Sequence, residues 1–186
     1  MEIPEPSELI ERVAALPAGA PLLERLPDVA GLHLVGGAVR DLLLGGAPTD
    51  LDVVVEGDAE PVARSLGAAL RAHDRFGTFT VSLKGYSYDF VRARSERYPA
   101  PGSLPEVAPG SLAEDLARRD FTVNALAIAL GGERRGELTG VADALVDLDQ
   151  GILRVLHDDS FIDDPTRLMR LVRYQSRLGF EPDPHT

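Results

Sequence analysis

Asp50-Leu51-Asp52-Val53-Val54-Val55 constrains the fold more than any other stretch. Leu51–Val55 reads as a buried strand, yet a carboxylate interrupts its apolar run. A strand-interior Asp is disfavoured unless something compensates it. In a strand, residues i and i+2 point to one face, roughly 6–7 Å apart. Asp50 and Asp52 therefore offer two carboxylates on one side, a donor set suited to hard cations such as Mg²⁺. Upstream, Leu32–Val35 reads as a strand, Gly36-Gly37 as a tight turn, and Ala38–Leu44 as a helix ended by Gly45-Gly46. A glycine turn that opens a helix presents backbone N–H groups suited to phosphate. Arg40 belongs to this segment, where a cation is unfavourable at a helix start unless an anion offsets it. Asp41 is read first as its structural partner.

The rest of the chain alternates sheet and helix signals. Leu9, Ile10, Val13 and Leu16 give Ser7–Leu16 helical spacing. Asp58 is placed to cap a helix from Ala59 to about Arg71. Phe79–Leu83 and Tyr86–Val91 alternate around Lys84-Gly85, as in a hairpin. Asp89 lies in the second of these strands. It is either an exposed strand residue or a third carboxylate, able to ligate metal or take a proton from an attacking hydroxyl. Pro99–Gly110 is rich in proline and reads as a loop. Leu112–Arg118 reads as a helix, Ala125–Leu130 as a buried strand or helix segment, and Leu153–Leu156 as a short strand. From Asp163 to Leu178, Leu168, Leu171, Val172 and Leu178 fall on one helix face, flanked by Arg167, Arg170, Arg173 and Arg177. Asp163-Asp164-Pro165 is a helix-start signal. Asp164 and Arg167, three apart, also place an acceptor beside donors, which can pair with the edge of a nucleobase. The run around Arg119-Asp120 alone is equally a solvated helix end. His33, His73, His157 and His185 match no metal or triad spacing.

Composition excludes several classes. There is no cysteine, so neither disulfides nor thiolate metal sites arise. A net charge of −11 opposes non-specific nucleic-acid binding by the whole surface. Lys84 is the one lysine among 19 basic residues, so arginine abundance carries no argument and arginine position must. No signal-peptide pattern or membrane-spanning run occurs, and a cytoplasmic protein with no membrane partner is expected.

The ordered motifs LVGGAVRDLLLG, DLD, YDFVRAR, RRDFTVNALAI and DDPTRLMRLVRY, from about Leu32 to Phe180, resemble the class II tRNA nucleotidyltransferases and bacterial poly(A) polymerases of the DNA polymerase beta superfamily. The resemblance implies an α+β fold. A mixed, largely antiparallel nucleotidyltransferase head would occupy residues 1–150 and the start of a helical neck residues 151–186, with the tRNA-binding remainder outside. It implies transfer of CMP or AMP from CTP or ATP to the 3′ end of tRNA by a two-metal mechanism using Mg²⁺. Asp50 and Asp52 would bind metal, with Asp89 as third acid. Gly36, Gly37 and Arg40 would hold triphosphate. Arg119, Asp120 and Asn124 would position the ribose and nucleotide, Asp164 and Arg167 would read CTP and ATP, and Arg170 and Arg173 would touch phosphate. The family more often has Glu where Asp163 stands. The segment holding Arg97, Tyr98, Gly102 and Leu104 falls at the family's flexible loop. Full CCA addition, CC- or A-addition alone and poly(A) synthesis all remain open. So do a small stand-alone nucleotidyltransferase and a nucleotide-binding head without turnover.

Overall fold

The computed structural model describes residues 3–67, 69–73 and 77–186. In chain order the elements are α1 (Pro6–Ala15), α2 (Gly19–Arg25), β1 (Leu32–Val35), α3 (Gly37–Leu43), β2 (Leu51–Val55), α4 (Ala59–Ser65), β3 (Ala69–His73), β4 (Thr78–Leu83) and β5 (Tyr86–Arg92). They continue with β6 (Arg94–Arg97), β7 (Glu106–Pro109), α5 (Leu112–Ala117), a 3₁₀ turn (Thr122–Asn124), β8 (Leu126–Ala129), β9 (Leu138–Gly140) and α6 (Ala144–Gln150). The last are β10 (Ile152–Leu153), α7 (Ser160–Asp163), α8 (Thr166–Leu178) and β11 (Glu181–Pro182). The mixture is α+β, as expected. The side chain of His73 and residues Met1 and Glu2 lie outside the described residues.

One compact unit runs through Ala93 and takes in Ala127–Thr139. Its sheet has the order β3-β4-β5-β2-β1-β8-β9. The pairs β3–β4, β4–β5, β1–β2 and β1–β8 are antiparallel, while β2 and β5 run parallel. Leu32, Leu34, Leu51, Val53, Val81, Tyr88 and Phe90 are buried. Helix α1 packs here through buried Leu9 and Val13. Tyr88 donates its hydroxyl to the carbonyl of Ala18 at 2.7 Å, which satisfies a phenol that burial would otherwise penalise. Helix α2 was not expected. Asp58 does cap α4, accepting from Glu60 N at 3.1 Å. The helix stops at Ser65, however, and Ala69–His73 pairs with β4 instead of extending it. Gly67, at φ +63°, takes the chain out of the helix.

The second unit comprises Arg94–Leu126 and Gly140–Thr186, so the boundary expected near residue 150 lies inside it. The physical tie is polar as well as apolar. Thr122 N donates to Arg154 O at 2.9 Å, and Thr122 Oγ1 donates to Asp147 Oδ2 at 2.7 Å. Strands β6 and β7 pair antiparallel, from Arg94↔Pro109 to Arg97↔Glu106. Part of the proline-rich stretch expected to be loop is therefore strand; a proline at a ladder end costs little. The helix expected over Asp163–Leu178 is α8, which starts at Thr166 directly after the Asp163-Asp164-Pro165 signal, while the short α7 that precedes it was not anticipated. On α8 the buried residues are Arg167 and Tyr174, whereas Leu168, Met169 and Val172 are exposed. The apolar stripe is thus not what anchors this helix. Tyr174 packs edge-on to Phe121, ring centroids 5.8 Å apart. Strand β8 falls within Ala125–Leu130, which the sequence left open between strand and helix, whereas β10 shares only Leu153 with the strand expected over Leu153–Leu156. No helix among the described residues is long and apolar enough to cross a membrane.

Candidate active site

In the unit through Ala93, β2 is buried except at Asp52. Asp50, just ahead of the strand, is also exposed. The parallel register sets Asp52 opposite Asp89, with Leu51 opposite Tyr88 and Val53 opposite Phe90. In-register residues on adjacent strands point to the same face, so Asp89 joins the face that carries Asp52. Antiparallel pairing sets Thr80 opposite Asp89 on the other side, and Thr80 Oγ1 donates to Asp89 Oδ1 at 2.6 Å. Thr80 was not anticipated; its only sequence signal is the alternation of β4. Among the described residues no three His, Cys, Asp or Glu side chains converge tightly enough to hold a metal ion. The donor chemistry nevertheless suits Mg²⁺, which takes one or two carboxylates and completes its shell with water and phosphate oxygens.

Gly36 stands at φ 72°, ψ −136°, a conformation open essentially to glycine alone. It turns β1 into α3. Arg40, in the middle of α3, is buried, and its Nε donates to Asp41 Oδ1 at 2.8 Å. Its guanidinium folds back towards the turn: a Cβ built on Gly37 would lie 3.4 Å from Arg40 Nη2. Gly36, Gly37 and Arg40 therefore do come together, and Asp41 is the structural partner of Arg40.

In the second unit, Ser111 and Glu114 form a capping box that starts α5. This sets Asp115 three and four residues before Arg118 and Arg119. Asp115 is fully buried; Oδ1 accepts from Arg118 Nη2 at 2.6 Å and Nε at 3.0 Å, and Oδ2 accepts from Arg119 Nη2 at 2.8 Å. Burial pushes the Asp115 carboxyl up, but Arg119 and Arg118 outweigh it and hold it below the usual Asp range. Sequence reading missed Asp115, although its spacing from both arginines is a helical ion-pair signal. Arg118 Nη1 also reaches Glu96 Oε1 at 3.1 Å, and Tyr98 donates its hydroxyl to Glu96 Oε2 at 3.2 Å.

Asp120 and Asn124 are buried around the 3₁₀ turn. Asp120 Oδ1 accepts from Phe121 N and from Asn124 Nδ2, both at 2.9 Å. Asp120 Oδ2 lies 2.9 Å from Arg170 Nε as an ion pair, but the angle does not make a hydrogen bond, and that oxygen is left with none. Arg119 Nε is likewise buried without a hydrogen bond. Two adjacent residues thus carry unsatisfied polar atoms, one acceptor and one donor, a cost that a bound polar group would remove. Burial works against the charge on Arg170, yet Asp120, then Tyr174 and Asp164, raise its pKa above the ordinary value. Arg173 is exposed and lies over the Tyr174 ring, 5.3 Å from its centroid.

Asp164 and Arg167 are neighbours, Arg167 Nε standing 3.9 Å from Asp164 Oδ2. Asp164 Oδ1 accepts from Thr166 N at 2.9 Å and Thr166 Oγ1 at 2.6 Å, so it caps α8 as its helix-start reading expected. Arg167 is buried and spends one donor on Ser160 Oγ at 2.6 Å and one on the Arg118 carbonyl at 2.8 Å. Burial and these partners were not legible from spacing.

A family model described as the poly(A) polymerase head domain matches residues 32–154. The A-adding tRNA nucleotidyltransferase of Halalkalibacterium halodurans is 43% identical over 175 residues, covering 89% of this chain and 41% of that protein. The CC-adding tRNA nucleotidyltransferase of Deinococcus radiodurans is 47% identical over 163 residues, covering 85% of this chain and 43% of that protein. The structure of the Thermotoga maritima CCA-adding enzyme complexed with tRNA superposes with a TM-score of 0.79 at 35% identity, covering 98% of this chain and 43% of that one. The chain spans less than half the length of each of these relatives.

Proposed function

This chain belongs to the poly(A) polymerase head-domain family, and on that premise we propose that it is the nucleotide-transferring part of a tRNA nucleotidyltransferase. It moves CMP or AMP from CTP or ATP to the 3′ end of tRNA: the 3′ hydroxyl oxygen bonds to the α-phosphorus, the bond to the β-phosphate oxygen breaks, and pyrophosphate leaves. The observation that carries this reading is the register of Asp52 with Asp89, which puts a third acid beside the two-carboxylate strand.

Asp50 and Asp52 are the residues that would hold Mg²⁺, which supplies Lewis acidity at the phosphoryl oxygens and at the attacking hydroxyl. Asp89 takes the proton of the 3′ hydroxyl; its Oδ1 is held by Thr80, which leaves Oδ2 as acceptor. Gly36, Gly37 and Arg40 serve the triphosphate, with the Arg40 guanidinium turned to the glycine end of α3. Arg119 and Asp120, each with an unsatisfied atom, and Asn124 serve the ribose. Asp164 Oδ2 and the unspent N–H groups of Arg167 read the base edge. Arg170 and Arg173 are the cations of α8 assigned to phosphate. The protein's contribution is positioning and charge stabilisation. The cytoplasm is the compartment that belongs to this proposal, as a source of tRNA, CTP and ATP.

A second reading, which the same assay tests, is a nucleotide-binding head without turnover. Radiolabelled CTP and ATP, supplied separately with Mg²⁺ to tRNA lacking CCA, ending in C and ending in CC, separate the readings. Incorporation lost in Asp52→Ala supports transfer, and the acceptor pattern selects CCA, CC, A or poly(A) addition. Full incorporation by Asp52→Ala sinks the metal assignment. Nucleotide binding without incorporation favours the second reading.

A further inference from the structure

Ser160, in the short helix α7, is fully buried and made no contribution to the sequence reading. It touches both members of the base-reading pair. Its hydroxyl accepts from Arg167 Nη1 at 2.6 Å, and its carbonyl accepts from Asp164 N at 3.2 Å. The second Arg167 nitrogen, Nη2, is held at 2.8 Å by the carbonyl of Arg118, from the segment that also supplies Arg119 and Asp120. A guanidinium is a planar fork with five N–H donors. Fixing it at two nitrogens from two different elements sets both its position and the tilt of its plane. The remaining donors, Nε–H among them, then have one orientation relative to Asp164. An unfixed arginine would have to give up rotamer freedom each time a base bound.

We propose that Ser160 is a positioning residue for nucleobase selection, holding Arg167 and Asp164 in the arrangement that accepts CTP and ATP. This rests on the reading of that pair given above. The hydroxyl is the part of Ser160 that Arg167 uses.

The test is a double-mutant cycle on the full chain, with Ser160→Ala, Arg167→Ala and the double variant. Equilibrium binding of radiolabelled CTP, ATP, GTP and UTP in the presence of Mg²⁺ is measured for each. Ser160→Ala is expected to weaken CTP and ATP by about tenfold, the worth of one hydrogen bond to a charged group. GTP and UTP should change less, so discrimination narrows. In the Arg167→Ala background the same substitution should have almost no further effect. Ser160→Ala that leaves discrimination intact, or that weakens binding equally with and without Arg167, overturns the proposal. If Arg167→Ala itself leaves CTP and ATP binding unchanged, the base-reading assignment has failed, and this inference falls with it. Thermal denaturation of each variant separates loss of fold from loss of selection, because a purely structural role lowers all four affinities together.

Discussion

Asp115→Ala is expected to be strongly destabilising although Asp115 touches no assigned ligand. The carboxylate is fully buried and accepts three hydrogen bonds from two guanidiniums. Removing one partner of a buried pair costs about 3–5 kcal/mol, because the other charge is left uncompensated. Two features pull towards the lower end. Arg118 keeps Glu96 at 3.1 Å, and the Arg118 and Arg119 side chains retain 18% and 17% exposure. A loss of about 3 kcal/mol corresponds to a fall in Tm of about 6–12 °C for a domain of this size. The pH dependence gives an independent check. The folded Asp115 carboxyl is held below its unfolded value, so its stabilisation is complete above the unfolded pKa, about 3.9. It is lost as pH falls through the folded value. Thermal melts of wild type, Asp115→Ala and Asp115→Asn at pH 7 and near pH 3 measure both effects. The gap between wild type and Asp115→Asn should shrink in acid. A fall in Tm of less than about 1 °C at pH 7, or a gap that does not change with pH, would refute the reasoning.

Two further substitutions test the carboxylate face and its glycine turn. Thr80→Val removes the hydroxyl that holds Asp89 Oδ1 while keeping side-chain volume; nucleotide incorporation should fall about tenfold with Tm nearly unchanged, and undiminished incorporation would remove Thr80 from the site. Gly36→Ala forces a Cβ into a backbone region that L-residues avoid, and should destabilise by about 1–3 kcal/mol in urea unfolding; an unaltered midpoint would mean the turn relaxes at no cost.

What was legible in the chain is what depends on near neighbours. Val53 to Val55 specify a buried strand, and Asp52 stands out as its one exposed position without any knowledge of the sheet. The turn at Gly36, the cap at Asp58 and the hairpin at Lys84-Gly85 are equally local. The failures come from distant partners. Ala69-Leu70-Arg71 has good helix formers, but the ladder with β4 outweighs propensity. Pro109 reads as loop until Arg94 is found opposite it. The pattern of Leu168, Leu171 and Val172 suggests a packed stripe, yet α8 is anchored by Arg167 and Tyr174. At the candidate site the same division holds. Residue types were visible, whereas the pairing of Asp52 with Asp89, the burial of Arg167 and the role of Thr80 required the topology.

The parallel junction of β2 with β5 also bears on how faithfully this protein can be made. A slip of one residue along that ladder would turn Asp52 into the core and expel Leu51 and Val53, the buried residues on either side of it. Burying a carboxylate at the cost of its hydration takes several kcal/mol, comparable to the whole margin by which a domain stays folded. Misregistered molecules would therefore unfold rather than persist as folded but inactive copies. The hydrophobic core thereby fixes the register of Asp52 with Asp89, and molecules that reach the folded state should carry these two carboxylates side by side.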